Sequence, residues 1–378
     1  MKELDNYFKE KTENLSFIEI KPETYVDIKG YKVYSDTPLP LIIDELITEI
    51  KEKKAQDEVK VSAIINGMVY TVGVDPEFKH CEEYKRILYK YDEKIEEYIL
   101  YSGLKKINEG LFEDGIIWLR ALTIINDRHV MGIYNYGLAL EEKAKRLFES
   151  DNKKLGNVFL SKSTECFEKV IDIDSNFGQS YYKLGYHYKN SKQFKKCELM
   201  WEKYIQLGND DELLQEVREG LEAVDDDVIY EEGYLQIING NAEKGLEKLL
   251  PLKEKYVGWW NLLFMIGLGY RQLERFEEAK AEFISVLDIA PKQVDALNEL
   301  GLCQVYLGDT TEAIETFSRA IELKPNDYEI ICNRGMTYLQ LLDISNAEKD
   351  ILRAYAINSE DEITIACKNE LDRKKNMG

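Results

Sequence analysis

The chain is poor in the residues on which most active sites are built. Its three histidines, His80, His129 and His187, stand at no metal-ligand spacing from one another or from a cysteine, so no zinc-type centre is implied. Six cysteines, Cys81, Cys166, Cys197, Cys303, Cys332 and Cys367, form no CxxC pair and are scattered through helical segments. That pattern predicts reduced cytosolic thiols rather than a disulfide framework. GxxxxGK[ST], GxGxxG and GxSxG are all missing, which removes the usual phosphate cradles and the nucleophile elbow. No run approaches the roughly 18 apolar residues of a membrane span, and the opening MKELDNYFKEK has no apolar signal core. The expectation is a cytoplasmic protein without membrane insertion.

Positive charge is also scarce. Fifty Lys and Arg face 71 Asp and Glu, a net charge of −21, which argues against nucleic acid or an anionic membrane as partner. Eleven of the acids, against the single base Arg218, fall in residues 210–232. Such a stretch reads either as a solvated helix and loop or as a landing site for a basic segment. Asp172 to Asn176 imitates the start of a calcium loop, but the twelfth position is Lys183 where glutamate is needed. No catalytic residue, metal or cofactor is therefore expected, and nothing positive supports an enzyme in the first 78 residues.

What is abundant is periodicity. Gly103, Gly137, Gly185, Gly233, Gly267, Gly301 and Gly335 follow one another at 34, 48, 48, 34, 34 and 34 residues. Each irregular step is the standard period plus 14. The first addition lies inside a helix pair, through EEKAKRLFESDNKKLG; the second follows Gly208-Asn209-Asp210 as DELLQEVREGLEA (211–223), which predicts an extra helix. The clearest unit runs from Val294 to Asp327. Gly301, Ala313 and Ala320 are small where helices must touch, Phe317 fills the space between them, Gly308 suits the positive φ of a helix end, and Pro325 stops the second helix.

These landmarks resemble the tetratricopeptide (TPR) repeat, and the resemblance covers about residues 94–358. It implies a mainly α chain: a TPR-type solenoid of about seven helix-turn-helix repeats. The predicted order is a polar segment at 1–14, a small α+β domain at 15–78, a connecting or capping helix at 79–93, the repeats at 94–358, and a terminal helix and tail at 359–378. In the α+β part, FIEI (17–20), YVDI (25–28) and YKVY (31–34) predict strands. A helix is predicted to start near Pro38, with a stripe through Leu39, Ile42, Ile43, Leu46, Ile47 and Ile50. The alternation of Val59, Val61, Ala63 and Ile65, then Asn66-Gly67, then Tyr70, Val72 and Val74, predicts a β-hairpin.

In the family, the first helices of successive repeats line a concave groove, chiefly three residues before and one after the marker glycine. Carried over, these positions are Leu100, Leu104, Tyr134, Leu138, Tyr182, Tyr186, Tyr230, Tyr234, Phe264, Leu268, Asn298, Leu302, Cys332 and Met336, with Ile107, Ile237, Val305, Tyr306 and Leu339 a turn later. Most are large and apolar or aromatic, and an apolar surface of that extent calls for a cover. The implied function is a non-enzymatic scaffold or adaptor that binds a peptide or helical segment, apolar or amphipathic, in this groove. Two other readings stay open: a peptide sensor whose repeats change curvature, and a groove covered by self-association or by the amino-terminal domain. The family's carboxylate clamp would need Asn135, Lys183 and Arg334, which are dispersed.

Overall fold

The computed structural model describes residues 2–51 and 59–377, and the chain divides into two compact units, Met1–Arg218 and Glu219–Gly378.

The first unit opens with α1 (Lys2–Lys9) and a single 3-10 turn, then β1 (Leu15–Ile18), β2 (Tyr25–Ile28), β3 (Tyr31–Tyr34), β4 (Leu39–Ile42), α2 (Ile43–Lys51), α3 (Val61–Val74) and α4 (Cys81–Tyr91). Three helix pairs follow: α5 (Ile95–Asn108) with α6 (Phe112–Ile125), α7 (Val130–Glu149) with α8 (Lys153–Ile173), and α9 (Gly178–Asn190) with α10 (Phe194–Leu207). Helix α11 (Asp211–Ile238) begins in this unit. In the second unit α12 (Ala242–Lys255) packs on the later turns of α11, where Gly233 meets Leu249. Then come α13 (Trp260–Gln272) with α14 (Phe276–Ile289), α15 (Val294–Leu307) with α16 (Thr310–Leu323), α17 (Tyr328–Gln340) with α18 (Ile344–Ile357), and finally α19 (Glu362–Met377).

The marker glycines show why the pairs close. A Cβ built on Gly301 would lie 2.5 Å from the Phe317 ring, on Gly267 2.7 Å from Phe283, and on Gly185 2.0 Å from the Trp201 indole. Only hydrogen at that point lets the large side chain of the second helix lie flat on the first. Gly308 ends α15 at φ 88°, as its place in the repeat predicts.

Three local expectations are overturned. The hairpin over residues 59–74 is helix α3, whose Ile64, Ile65, Met68, Val69, Val72 and Val74 are all buried. A helix covered on every side has no polar stripe, so its apolar residues fall as readily into a two-residue as a 3.6-residue period. Gly67 serves close approach rather than a turn, since its Cβ would stand 2.0 Å from the Pro40 carbonyl oxygen. The helix predicted from Pro38 begins only at Ile43. Leu39–Ile42 is a strand, paired antiparallel with β1 from Leu15↔Ile42 to Ile18↔Leu39, so the first strand also starts two residues before the predicted FIEI. Pro40 is tolerated because this sheet has only two strands, and both are edges. The Ile50 side chain lies outside the described residues. Finally, the segment 211–223 is no separate helix but the first part of α11.

YVDI and YKVY do form β2 and β3, joined through Lys29 and Gly30 at φ 48° and 85°. Their Ile28 and Val33 share one core with Ile65, Val72, Tyr84, Ile95, Ile99 and Trp118. Helix α6 and the lengthened α7/α8 pair together hold α1. Tyr7 Oη donates to Glu113 at 2.7 Å and Lys154 pairs with Glu3 at 2.5 Å, while Phe8, fully buried, lies in one core with Leu140 and Phe159. Arg120, 6% exposed, donates to the Gly73 carbonyl and to Asp5, both at 2.5 Å, with its guanidinium 4.6 Å from the Phe8 ring centre. Those bonds compensate the burial of its charge.

Candidate functional site

The candidate groove residues sit on the first helices of their pairs, and the two units treat them differently. In the first unit, Leu100 is half-buried between two core clusters, and Leu104 and Leu138 are half-buried on α5 and α7. Tyr134 packs edge-on to Phe177 at 4.9 Å and tilted to Phe167 at 5.6 Å; burial pushes its phenol up to about 12.

Tyr182 and Tyr186, one turn apart on α9, meet at 5.2 Å and form a ring cluster with Tyr204 and Trp201, whose Nε1 donates to the Tyr182 carbonyl at 3.3 Å. Both hydroxyls donate to Glu216 on α11: Tyr182 to its two oxygens at 3.1 and 3.2 Å, Tyr186 to one of them. Burial, then the bond to Glu216, raises both phenols, which stay protonated and able to donate at neutral pH. The start of α11 therefore lies beside α9. Sequence reasoning missed Glu216, because nothing in the repeat period says where an inserted segment folds back.

In the second unit, Tyr230 lies 4.7 Å from Trp259 and 6.4 Å from Tyr234, which is exposed. Ile237, expected in the groove, is 0% exposed; it fills the space above Gly245 and Gly269 and so belongs to the core. Cys332 and Leu339 are likewise buried in the core.

On α13, α15 and α17 a partly solvent-facing apolar layer remains. Phe264, Leu268, Leu302, Val305 and Met336 are half-buried and pack down on the core of this unit. Two polar contacts link the three helices: Asn333 donates a hydrogen bond to Asn298 at 2.9 Å, and Arg271 forms an ion pair with Glu299 at 2.5 Å. Tyr306, 64% exposed, stacks on Phe276 at 4.5 Å with the rings 6° apart. Asp295 and Glu329 stand exposed near the starts of α15 and α17.

The residues needed for a carboxylate clamp are engaged elsewhere. Asn135 donates to the Met131 carbonyl, Lys183 pairs with Glu141 at 2.9 Å, and Arg334 makes a two-pronged bond to Asp350 at 2.7 and 2.8 Å. Among the described residues no group of three or more His, Cys, Asp or Glu side chains could hold a metal ion. No described helix is long and apolar enough to cross a membrane.

Residues 294–327 and 261–293 each match the tetratricopeptide-repeat family. The chain carries tetratricopeptide repeats. Repeats of this family are general protein-interaction scaffolds, and the first match coincides with the unit read from Val294 to Asp327. Curated relatives include BBSome complex member BBS4 of Mus musculus, 29% identical over 81 residues, which are 21% of this chain and 15% of that protein. Another is Superkiller protein 3 of Schizosaccharomyces pombe, 25% identical over 179 residues, 47% of this chain and 12% of that one. The TPR repeat-containing protein MJ1428 of Methanocaldococcus jannaschii is 23% identical over 240 residues, 60% and 37% of the two chains. The chain thus spans well under half the length of the curated relatives it matches.

Among solved structures, YrrB, described as a TPR protein with an unusual peptide-binding site, aligns over 66% of this chain and 97% of its own at 16% identity and a TM-score of 0.28. The carboxy-terminal part of a TPR repeat-containing protein from Cytophaga hutchinsonii covers 71% and 98% at 11% identity and 0.40. Scores this low do not superpose one binding face on another.

Proposed function

We propose that this tetratricopeptide-repeat chain is a non-catalytic cytoplasmic adaptor that holds an apolar or amphipathic protein segment on the face made by α13, α15 and α17. The observation that supports it is the run Phe264, Leu268, Leu302, Val305 and Met336. These residues rise from three consecutive first helices and stay only half-buried when the rest of the unit has packed. Half-buried apolar side chains in so regular an array are the feature a partner would cover. The Asn298–Asn333 hydrogen bond and the Arg271–Glu299 ion pair join the three helices before any partner arrives, which lowers the ordering cost of binding. Three anchors buried at ~1.5–3 kcal/mol each, less the cost of immobilising the segment, give affinities of roughly micromolar strength. Cytoplasmic residence is supported by six cysteines that are all buried and unpaired.

The test is a titration of the partner fragment, once captured and identified, against the wild type and a Leu302→Asp/Met336→Asp variant whose helical signal is unchanged. The variant is expected to bind at least ~100-fold more weakly, two lost anchors at about 1.4 kcal/mol each. Equal affinity removes this face as the site.

A further inference from the structure

We infer that the aromatic face of α9 is a docking point for a protein segment that presents an aspartate or glutamate side chain, and that Glu216 occupies this point in cis. It rests on the reading that first-helix faces of this chain receive protein segments, and it adds the chemistry of one such segment. The ligand chemistry is displayed by the chain itself. Two phenols one helical turn apart aim their protons at one carboxylate, Tyr182 bonding both oxygens and Tyr186 one. The rings are packed where they stand: Tyr182 lies 5.3 Å from Tyr204 and Tyr186 5.0 Å from Trp201, which itself donates to the Tyr182 carbonyl. Hydroxyl donors held in place in this way prefer an ionised oxygen acceptor to a neutral amide, since bonds to a charged acceptor are about twice as strong.

Glu216 is the part able to leave. Its own residue is exposed, whereas the next one, Val217, is fully buried and anchors α11. A rotation of the Glu216 side chain into water therefore frees both phenols without moving the helix, and an incoming carboxylate takes over the same bonds. The cis carboxylate acts as a competitor that is always present, so only a segment with further contacts on α9 displaces it.

The experiment uses the full chain with ring-labelled tyrosine, the Tyr182 and Tyr186 signals being assigned by single Phe substitutions. The probe is an amino-acetylated, carboxy-amidated pentapeptide, Ala-Ala-Glu-Ala-Ala, and its glutamine analogue. The Glu216→Ala protein is expected to bind the glutamate peptide about tenfold more tightly than wild type does, seen as shifts of those two signals. The glutamine peptide should bind about tenfold more weakly than the glutamate peptide, and a Tyr182→Phe/Tyr186→Phe/Glu216→Ala protein of unchanged melting temperature, followed through the signal of the neighbouring Tyr204, should lose the preference. Equal shifts with both peptides, or none with Glu216→Ala, overturn the inference. The Leu302→Asp/Met336→Asp titration is independent of these residues, so either idea can fail while the other stands.

Discussion

Replacing Gly67 by alanine puts the packing of α3 to a severe test. In an open helix this change is stabilising by ~1 kcal/mol, because alanine is the better helix former. Here the added Cβ would stand 2.0 Å from the Pro40 carbonyl oxygen, 2.5 Å from the Pro40 carbonyl carbon and 3.1 Å from the Leu41 nitrogen. All three atoms are backbone of β4, which is hydrogen-bonded to β1 and cannot rotate aside as a side chain would. Carbon and oxygen need about 3.3 Å, so α3 and the strand must separate by roughly 1 Å, loosening Ile64, Met68 and Leu41 together. Overpacking of this kind costs ~1–3 kcal/mol and occasionally more; backbone contact sets it at the upper end, and after the helix gain the net loss is ~2 kcal/mol or more. For a unit of this size that lowers the melting temperature by roughly 4–8 °C, measurable by calorimetry. An unchanged or raised transition would refute the close approach of α3 to β4.

Breaking one half of the Arg334–Asp350 pair leaves a buried carboxylate alone. Arg334→Leu is expected to cost ~3 kcal/mol in chemical denaturation, and Arg334→Leu/Asp350→Leu to recover more than half of that; no recovery would contradict the account. The pH dependence has a definite sign at Glu141. Burial pushes its carboxyl up, but bonds from His187 and Lys183 outweigh this and leave it below the usual range. A carboxyl depressed in the folded state contributes stability that is present above its unfolded value of about 4.3 and is lost as pH falls through the folded value. The stability difference between wild type and Glu141→Gln should therefore shrink as pH falls below ~4.3; a difference that grew below that value would be inconsistent with the pairing.

How much of this was legible in the sequence depended on whether neighbours in space were also neighbours in the repeat. Gly301, Phe317, Ala313 and Gly308 answer to contacts within one helix pair, so their spacing alone located the helices and their turn. Ile237 failed for the opposite reason. Its position in the period is that of a groove residue, but Gly269, which stands where the other repeats carry a larger residue, joins Gly245 in opening a hole that it fills. The roles of the two inserts were hidden because each is defined by a distant partner: the longer α7/α8 pair by α1, and the start of α11 by the phenols of α9. Residues 59–74 misled because complete burial erases the polar stripe by which helix and strand are told apart.

The adaptor reading is tested most directly by photocrosslinking in extract of the source cell, with benzoylphenylalanine placed singly at Leu302, Met336 and Arg319, the last exposed on α16. The account predicts that one and the same partner is trapped from 302 and 336, and that this band is absent from 319. Trapping from 319 with nothing from 302 or 336 would contradict it.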